Sequence, residues 1–284
     1  MRSGPVSLAV SAMFATAVGA ASLLAAGEPP SSHEDQAAFC VSPQTPRDIT
    51  KAHGLNFLMF ESAPASSELN LCNLHFHANA EHRGPGFLKR ASAGDKRGGF
   101  ICNMTGSLSA SELAMPAGSV CADHKTGKGL KTGDTIEVHW VHTSCPVKTE
   151  PGKGLKLCVS CANPFLRVES QVFLLVNDPS ATDFRKFDLA SGTRDGYLHA
   201  KALPRGTGEP VTFRGSTTGP KQTNKCDPTN VTWNVRPRCA KLDINSLGEW
   251  CKHNKYHENH AHGIRPLVTD LFSLSRIYSS PHRY

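Results

Sequence analysis

The chain shows no long amphipathic helix and no motif recurring at a fixed period, which argues against a helical or repeat architecture. Beyond residues 1–30 it has no apolar run approaching the roughly 20 residues that span a bilayer. Charge is sparse: 19% of the 284 residues are Asp, Glu, Lys or Arg, for a formal net charge of +7. The basic residues are scattered and not interleaved with aromatics, so nothing points to nucleic-acid binding. Cys158-Val159-Ser160-Cys161 is the sole CxxC, and without a second one a four-cysteine zinc site is not expected.

What is present is an ordinary, rather loop-rich globular composition, 39% hydrophobic with 24 Gly and 19 Pro. Arg2 followed by an uncharged, small and apolar stretch over 6–26 reads as a secretory signal peptide over 1–26, with an uncleaved membrane anchor as the alternative. Residues 27–39 read as a flexible arm and 40–284 as one domain. All ten cysteines, from Cys40 to Cys251, follow the signal. An even number in an exported, periplasmic or extracellular chain implies disulfides. Cys239–Cys251 is a plausible bridge on proximity, and the CxxC suits a local or branching one.

Runs with strand character occur at 55–60, 71–76, 135–143, 165–177, 211–213 and 231–235, the 165–177 run being the strongest. Segments 107–113 and 243–252 read as a short helix and a helical turn. The expected architecture is mainly β: a single domain on a central, largely antiparallel sheet with long loops and a few short helices.

Histidine carries the chemistry. In Asn73-Leu74-His75-Phe76-His77 the H-x-H spacing puts both imidazoles on one face of a strand. A second strand, Glu137-Val138-His139-Trp140-Val141-His142, can add a third nitrogen. Three neutral imidazoles leave the fourth position of a tetrahedral zinc open, the arrangement of catalytic rather than structural sites. Asn73 and Glu137 each stand two residues before a candidate ligand, on its face, where they can accept the ring's second N–H. His82 reads as structural, and His253, His257, His260 and His262 as a chain end packed by hydrogen bonds.

These motifs, with Ala80-Glu81-His82, resemble the delta-class carbonic anhydrases and, in the same order, the zinc motifs of the alpha class. Gln44-Thr45-Pro46, Gly215-Ser216-Thr217-Thr218, Val231-Thr232-Trp233, the 166–173 strand and His260-Ala261-His262-Gly263-Ile264-Arg265 extend the similarity over about 40–275. The resemblance implies an alpha-carbonic-anhydrase-like fold. It also implies reversible hydration of carbon dioxide to bicarbonate and a proton, by attack of a zinc-bound hydroxide. One zinc per chain, with other divalent ions left open, would sit on His75, His77 and His139. His139 is preferred to His142, which faces the opposite way. Thr217, or Thr218 because the loop lacks one residue, would pair with Glu81 as gatekeeper. Val141 and Val168 would line the substrate pocket, His53 would shuttle protons, and Cys40–Cys226 would tie the threonine loop.

Two other readings stand beside this one. His75, His77, Glu81 and His139 superficially match the ligand set of a cupin-like metal dioxygenase or isomerase, which would favour iron or manganese. A non-catalytic binding protein could also keep the carbonic-anhydrase-like fold. Neither of these accounts for the Thr217-Thr218 pair.

Overall fold

The computed structural model describes residues 44–58, 61–95, 97–147, 151–216 and 229–277. The expected signal peptide, the arm, Cys40, Thr217, Thr218 and Cys226 lie outside them.

The core is a six-stranded sheet in which five strands follow one another as β1–β4–β5–β7–β6 and β8 pairs with β5. Its members are β1 (Asn70–Ala78), β4 (Thr135–Thr143), β5 (Leu166–Val176), β6 (Val211–Ser216), β7 (Asn230–Val235) and β8 (Ala240–Asp243). A separate two-stranded ribbon joins β2 (Lys89–Arg90) to β3 (Phe100–Ile101). The α-helices among the described residues are α1 (Ala110–Leu113) and α2 (Ile244–His253). Ser109 caps α1 in a capping box with Glu112, and the Asp243 carboxylate caps α2.

The sheet is mixed where a largely antiparallel one was expected. β1, β4 and β5 run antiparallel, as do β6 and β7, but β7 and β8 both lie parallel to β5. The length of β5 lets both share one of its edges. Its first half, Leu166 to Ser170, pairs with β7, and its last residues, Phe173 to Val176, pair with β8 on the same edge. Residues 55–58 form no strand. That apolar run lies across the 271–274 segment, with the Leu55 and Asn56 amides donating to Leu271 and Leu274 carbonyls. Phe57 is 88% exposed, so the run lacks the buried face that would hold it in a sheet.

Both faces of the sheet are covered, which is why all nine residues of β4 are buried. One cluster packs Leu74, Phe76, Val138, Trp140 and Phe173 against Trp250 of α2. The other packs Val141, Val168, Val172 and Trp233 on the opposite face.

Among the described residues four disulfides brace the loops: Cys72–Cys158, Cys102–Cys239, Cys121–Cys251 and Cys145–Cys161. Cys239 and Cys251 therefore do not bond each other. Cys239 follows β7 on the ribbon side, whereas Cys251 is on α2 across the sheet. The two cysteines of the CxxC reach different partners. Removing Cys121–Cys251, which spans 130 residues, as the double alanine variant should lower the unfolding free energy by about 3–5 kcal/mol. Urea denaturation would read this as a lower midpoint.

Candidate metal centre

The register of β1 on β4 assembles the histidines. A bulge at Cys72 shifts the pairing, so that Asn73 faces Val141, His75 faces His139 and His77 faces Glu137. Directly opposed residues of an antiparallel pair share a face. Asn73, His75, His77, Glu137, His139 and Val141 therefore converge on one side of the sheet, and β5 adds Ser170 and Val168 opposite His139 and Val141.

The side-chain nitrogens of His75, His77 and His139 lie within 4.8 Å of one another. Each ring is oriented by its other nitrogen. His75 Nδ1 stands 2.5 Å from Asn73 Oδ1, and that amide is turned by its own donation to the Gly154 carbonyl. His77 Nδ1–H donates to the Gly263 carbonyl at 2.9 Å. His139 Nε2–H donates to Glu137 Oε1 at 3.0 Å. The nitrogens left with free lone pairs are His75 Nε2, His77 Nε2 and His139 Nδ1. His77 Nε2 is buried with no hydrogen-bond partner, a costly state unless something else takes the lone pair. Burial, and after it the neighbouring histidines, push the His75 ring well below its ordinary pKa. Burial likewise lowers His77 to about 4. Both are neutral at pH 7, the form that ligates metal.

Glu137 is the hub behind the triad. It accepts from His139, from His82 Nδ1 at 2.6 Å, from Ser170 Oγ at 2.6 Å and from the backbone amides of Glu81 and His82. Burial opposes ionisation, but these partners win and hold the carboxyl well below the usual range. His82 is buried between this carboxylate and Trp233, with Nε2 3.3 Å from Thr45 Oγ1. His82, Glu137 and His139 also form a possible donor group. Glu137 already binds both histidines, with His82 Nδ1 and His139 Nε2 spent on it.

Glu81 faces Arg265. Its Oε1 accepts from the Arg265 amide and Nε, and its Oε2 accepts from Nη2 at 2.7 Å. His77 Nδ1 lies 3.4 Å from Oε1. Burial again opposes, and Arg265 then His77 bring the carboxyl down to about 2. With both oxygens held by the guanidinium, Glu81 does not join the triad as a fourth ligand, which removes the main support for the cupin-like ligand set.

Val141 and Val168 are register partners, both buried beside the triad. His142 projects from the opposite face of β4, its Nδ1–H bonded to the Trp140 carbonyl. The exposed His53 makes no ring contact with the triad among the described residues. The ring next to His75 and His77 is instead His262, at centroid distances of 5.5 and 5.9 Å, with His260 stacked on it at 5.6 Å. The C-terminal segment reaches this place by pairing with β1, where the His262 amide donates to the Phe76 carbonyl and the Ala78 amide to the His262 carbonyl. Sequence reading missed Ser170, Arg265 and His262 as neighbours of the site. Only the period-two match of Ser170 to strand β5 could have hinted at the first.

A sequence model of the delta carbonic anhydrases matches residues 66–246, well over half of the chain. No curated protein matches. Among solved structures, an alpha-carbonic anhydrase from Thermovibrio ammonificans with the inhibitor sulfanilamide is 15% identical, with 78% of this chain and 83% of that one covered and a TM-score of 0.29. A hyperthermostable carbonic anhydrase from an active hydrothermal vent chimney is 14% identical, with 83% and 86% covered and a TM-score of 0.30.

Proposed function

Because the chain belongs to the delta carbonic anhydrase family and is thus a carbonic anhydrase, we propose that it hydrates carbon dioxide reversibly with one zinc held by His75, His77 and His139. The observation that carries this reading is His77 Nε2, a buried lone pair with no hydrogen-bond partner, grouped with two further imidazole nitrogens. Three neutral nitrogen donors fit zinc and its open fourth position. Bound there, zinc would supply a hydroxide nucleophile at neutral pH by lowering the pKa of water to about 7.

The chain's own residues do the rest. Glu137 and Asn73 keep His139 and His75 in the tautomers that offer Nδ1 and Nε2 inward. Val141 and Val168 give carbon dioxide an apolar wall. Thr217, or Thr218, is the hydroxyl we assign to orient the nucleophile. Oε2 of Glu81, with one bond from Arg265 Nη2, retains a lone pair to accept from it. Each turnover releases a proton. We assign its exit to His262 and His260, whose stacked rings lead from His75 toward Asp123, 3.8 Å from His260 Nε2. This replaces His53 in that role. The four disulfides suit an oxidising compartment, and we propose export to the periplasm or outside the cell.

Stopped-flow hydration by the mature protein, stripped with a chelator and reloaded with zinc, tests the reading. Activity should follow zinc up to one per chain. Full activity without metal, or iron in place of zinc, would end it. Glu137→Gln should weaken zinc by about 10–100-fold, read by competition with a chromogenic chelator. The double variant His260→Ala/His262→Ala should lose roughly tenfold or more of kcat in dilute buffer, with kcat/KM unchanged and imidazole restoring the rate.

A further inference from the structure

On the face of β4 opposite the triad the molecule has a concavity about 570 Å³ in volume. We propose that it binds a small organic anion: a carboxylate, sulfonate or phosphate group on an apolar body.

The lining is mostly apolar. His142 is buried there, and burial lowers its pKa to about 3, so it carries no charge at pH 7. Phe187 beside it packs edge-on against Trp140 and accepts from the Trp140 indole N–H through its carbonyl. Ala200, Ala202 and Leu203 complete the apolar lining. The wall is a built turn. Arg194 and Tyr197 exchange backbone hydrogen bonds, the Ala190 amide donates to the His199 carbonyl, and the His199 ring donates to the Arg194 carbonyl at 3.2 Å.

The rim carries Arg194, Lys201 and Arg205, and no acidic residue lines the cavity. Glu68 and Asp195, next to lining residues in sequence, are exposed and outside it, and Asp188, next to Phe187, turns its carboxylate to the Trp250 indole N–H. Among the described residues the side chains of Arg194 and Arg205 have no ion pair or hydrogen bond, and Lys201 reaches only the Arg185 carbonyl, at 3.4 Å. Neighbouring arginines behave differently: Arg185 is paired with Asp183 and Arg167 with Glu169. A second cavity of about 430 Å³ has no Lys or Arg in its lining. Unneutralised cations above an apolar floor, in a space of the size small ligands fill, select an anionic head on an apolar body.

The probe is anilinonaphthalene sulfonate, followed by its fluorescence on the full mature protein. Saturable binding at one per chain is expected. Arg194→Gln/Arg205→Gln should weaken it roughly tenfold or more, and so should replacing the probe by uncharged phenylnaphthylamine. Lys89→Gln on the distant ribbon should leave binding unchanged, as should His139→Ala on the other face. Far-UV circular dichroism and carbon dioxide hydration of the arginine variant should match the parent. Absence of saturable binding, equal affinity in the arginine variant, equal affinity for the uncharged probe, or loss of binding in His139→Ala would each overturn the proposal.

Discussion

His139→Ala is expected to lose zinc and carbon dioxide hydration together while keeping its fold. The side chain sits on the central strand β4, opposite His75 in the register, and without it only two imidazoles remain. Two donors hold zinc far more weakly than three. The loss should therefore exceed the roughly 10–100-fold that removal of a supporting partner causes. The fold should survive because the Glu137 carboxylate, deprived of His139, keeps His82, Ser170 and two backbone amides as donors. Losing one of several donors to a charged group costs about 1.5–3 kcal/mol. Metal analysis after purification and stopped-flow hydration are the measurements, with His142→Ala as the comparison. That residue points to the other side of the sheet and should leave zinc at one per chain. Full zinc in His139→Ala would mean that the ligand set is wrong.

Glu81→Gln should be the most destabilising single change around the site. Glu81 and Arg265 are both buried, and Arg265 gives the carboxylate three hydrogen bonds, two from its guanidinium and one from its backbone amide. Breaking a buried pair by removing one charge leaves the other uncompensated, at a cost of about 3–5 kcal/mol. Replacing both partners by apolar residues, as in Glu81→Leu/Arg265→Met, should recover most of that loss, since a well-packed apolar pair often equals a buried ion pair. Hydration activity should not return with it, because the carboxylate proposed to anchor Thr217 is gone. Chemical denaturation with the single and double variants makes the cycle; equal stability of Glu81→Gln and parent would show the pair to be inert. The pH dependence has a definite sign. The carboxyl is held at about 2 against an ordinary 4.5. Its contribution is complete above about pH 4.5 and is lost as pH falls toward 2. The parent should lose stability across that window more steeply than Glu81→Gln.

Much of the site is legible in the residues alone. The H-x-H of β1 and the E-x-H of β4 need only the alternation of a strand to place four side chains on one face, and β4 spans 135–143 as its alternating pattern implies. Asn73 and Glu137 follow from the same period. Residues 55–58 show the limit of that logic: an apolar run becomes a strand only where a partner edge and a buried face await it, and here neither does. The direction of β7 and β8 was equally hidden. Parallel or antiparallel pairing depends on the path of the connecting loops, which strand composition does not encode.

The order of the chain determined which histidines and supporting groups share a face of β1 and of β4, because spacing within one strand is a local property set by the pleat. It determined as well that the cysteines would cross-link loops, by their number and context. The tertiary structure alone decided which distant groups meet. The bulge at Cys72 brings His75 opposite His139. The docking of residues 262–265 against β1 delivers Arg265 to Glu81 and His262 to the triad. Cys239 and Cys251, near in sequence, find Cys102 and Cys121 because the sheet separates them. Contacts between residues more than a hundred positions apart depend on how layers stack, and local pattern carries no record of that.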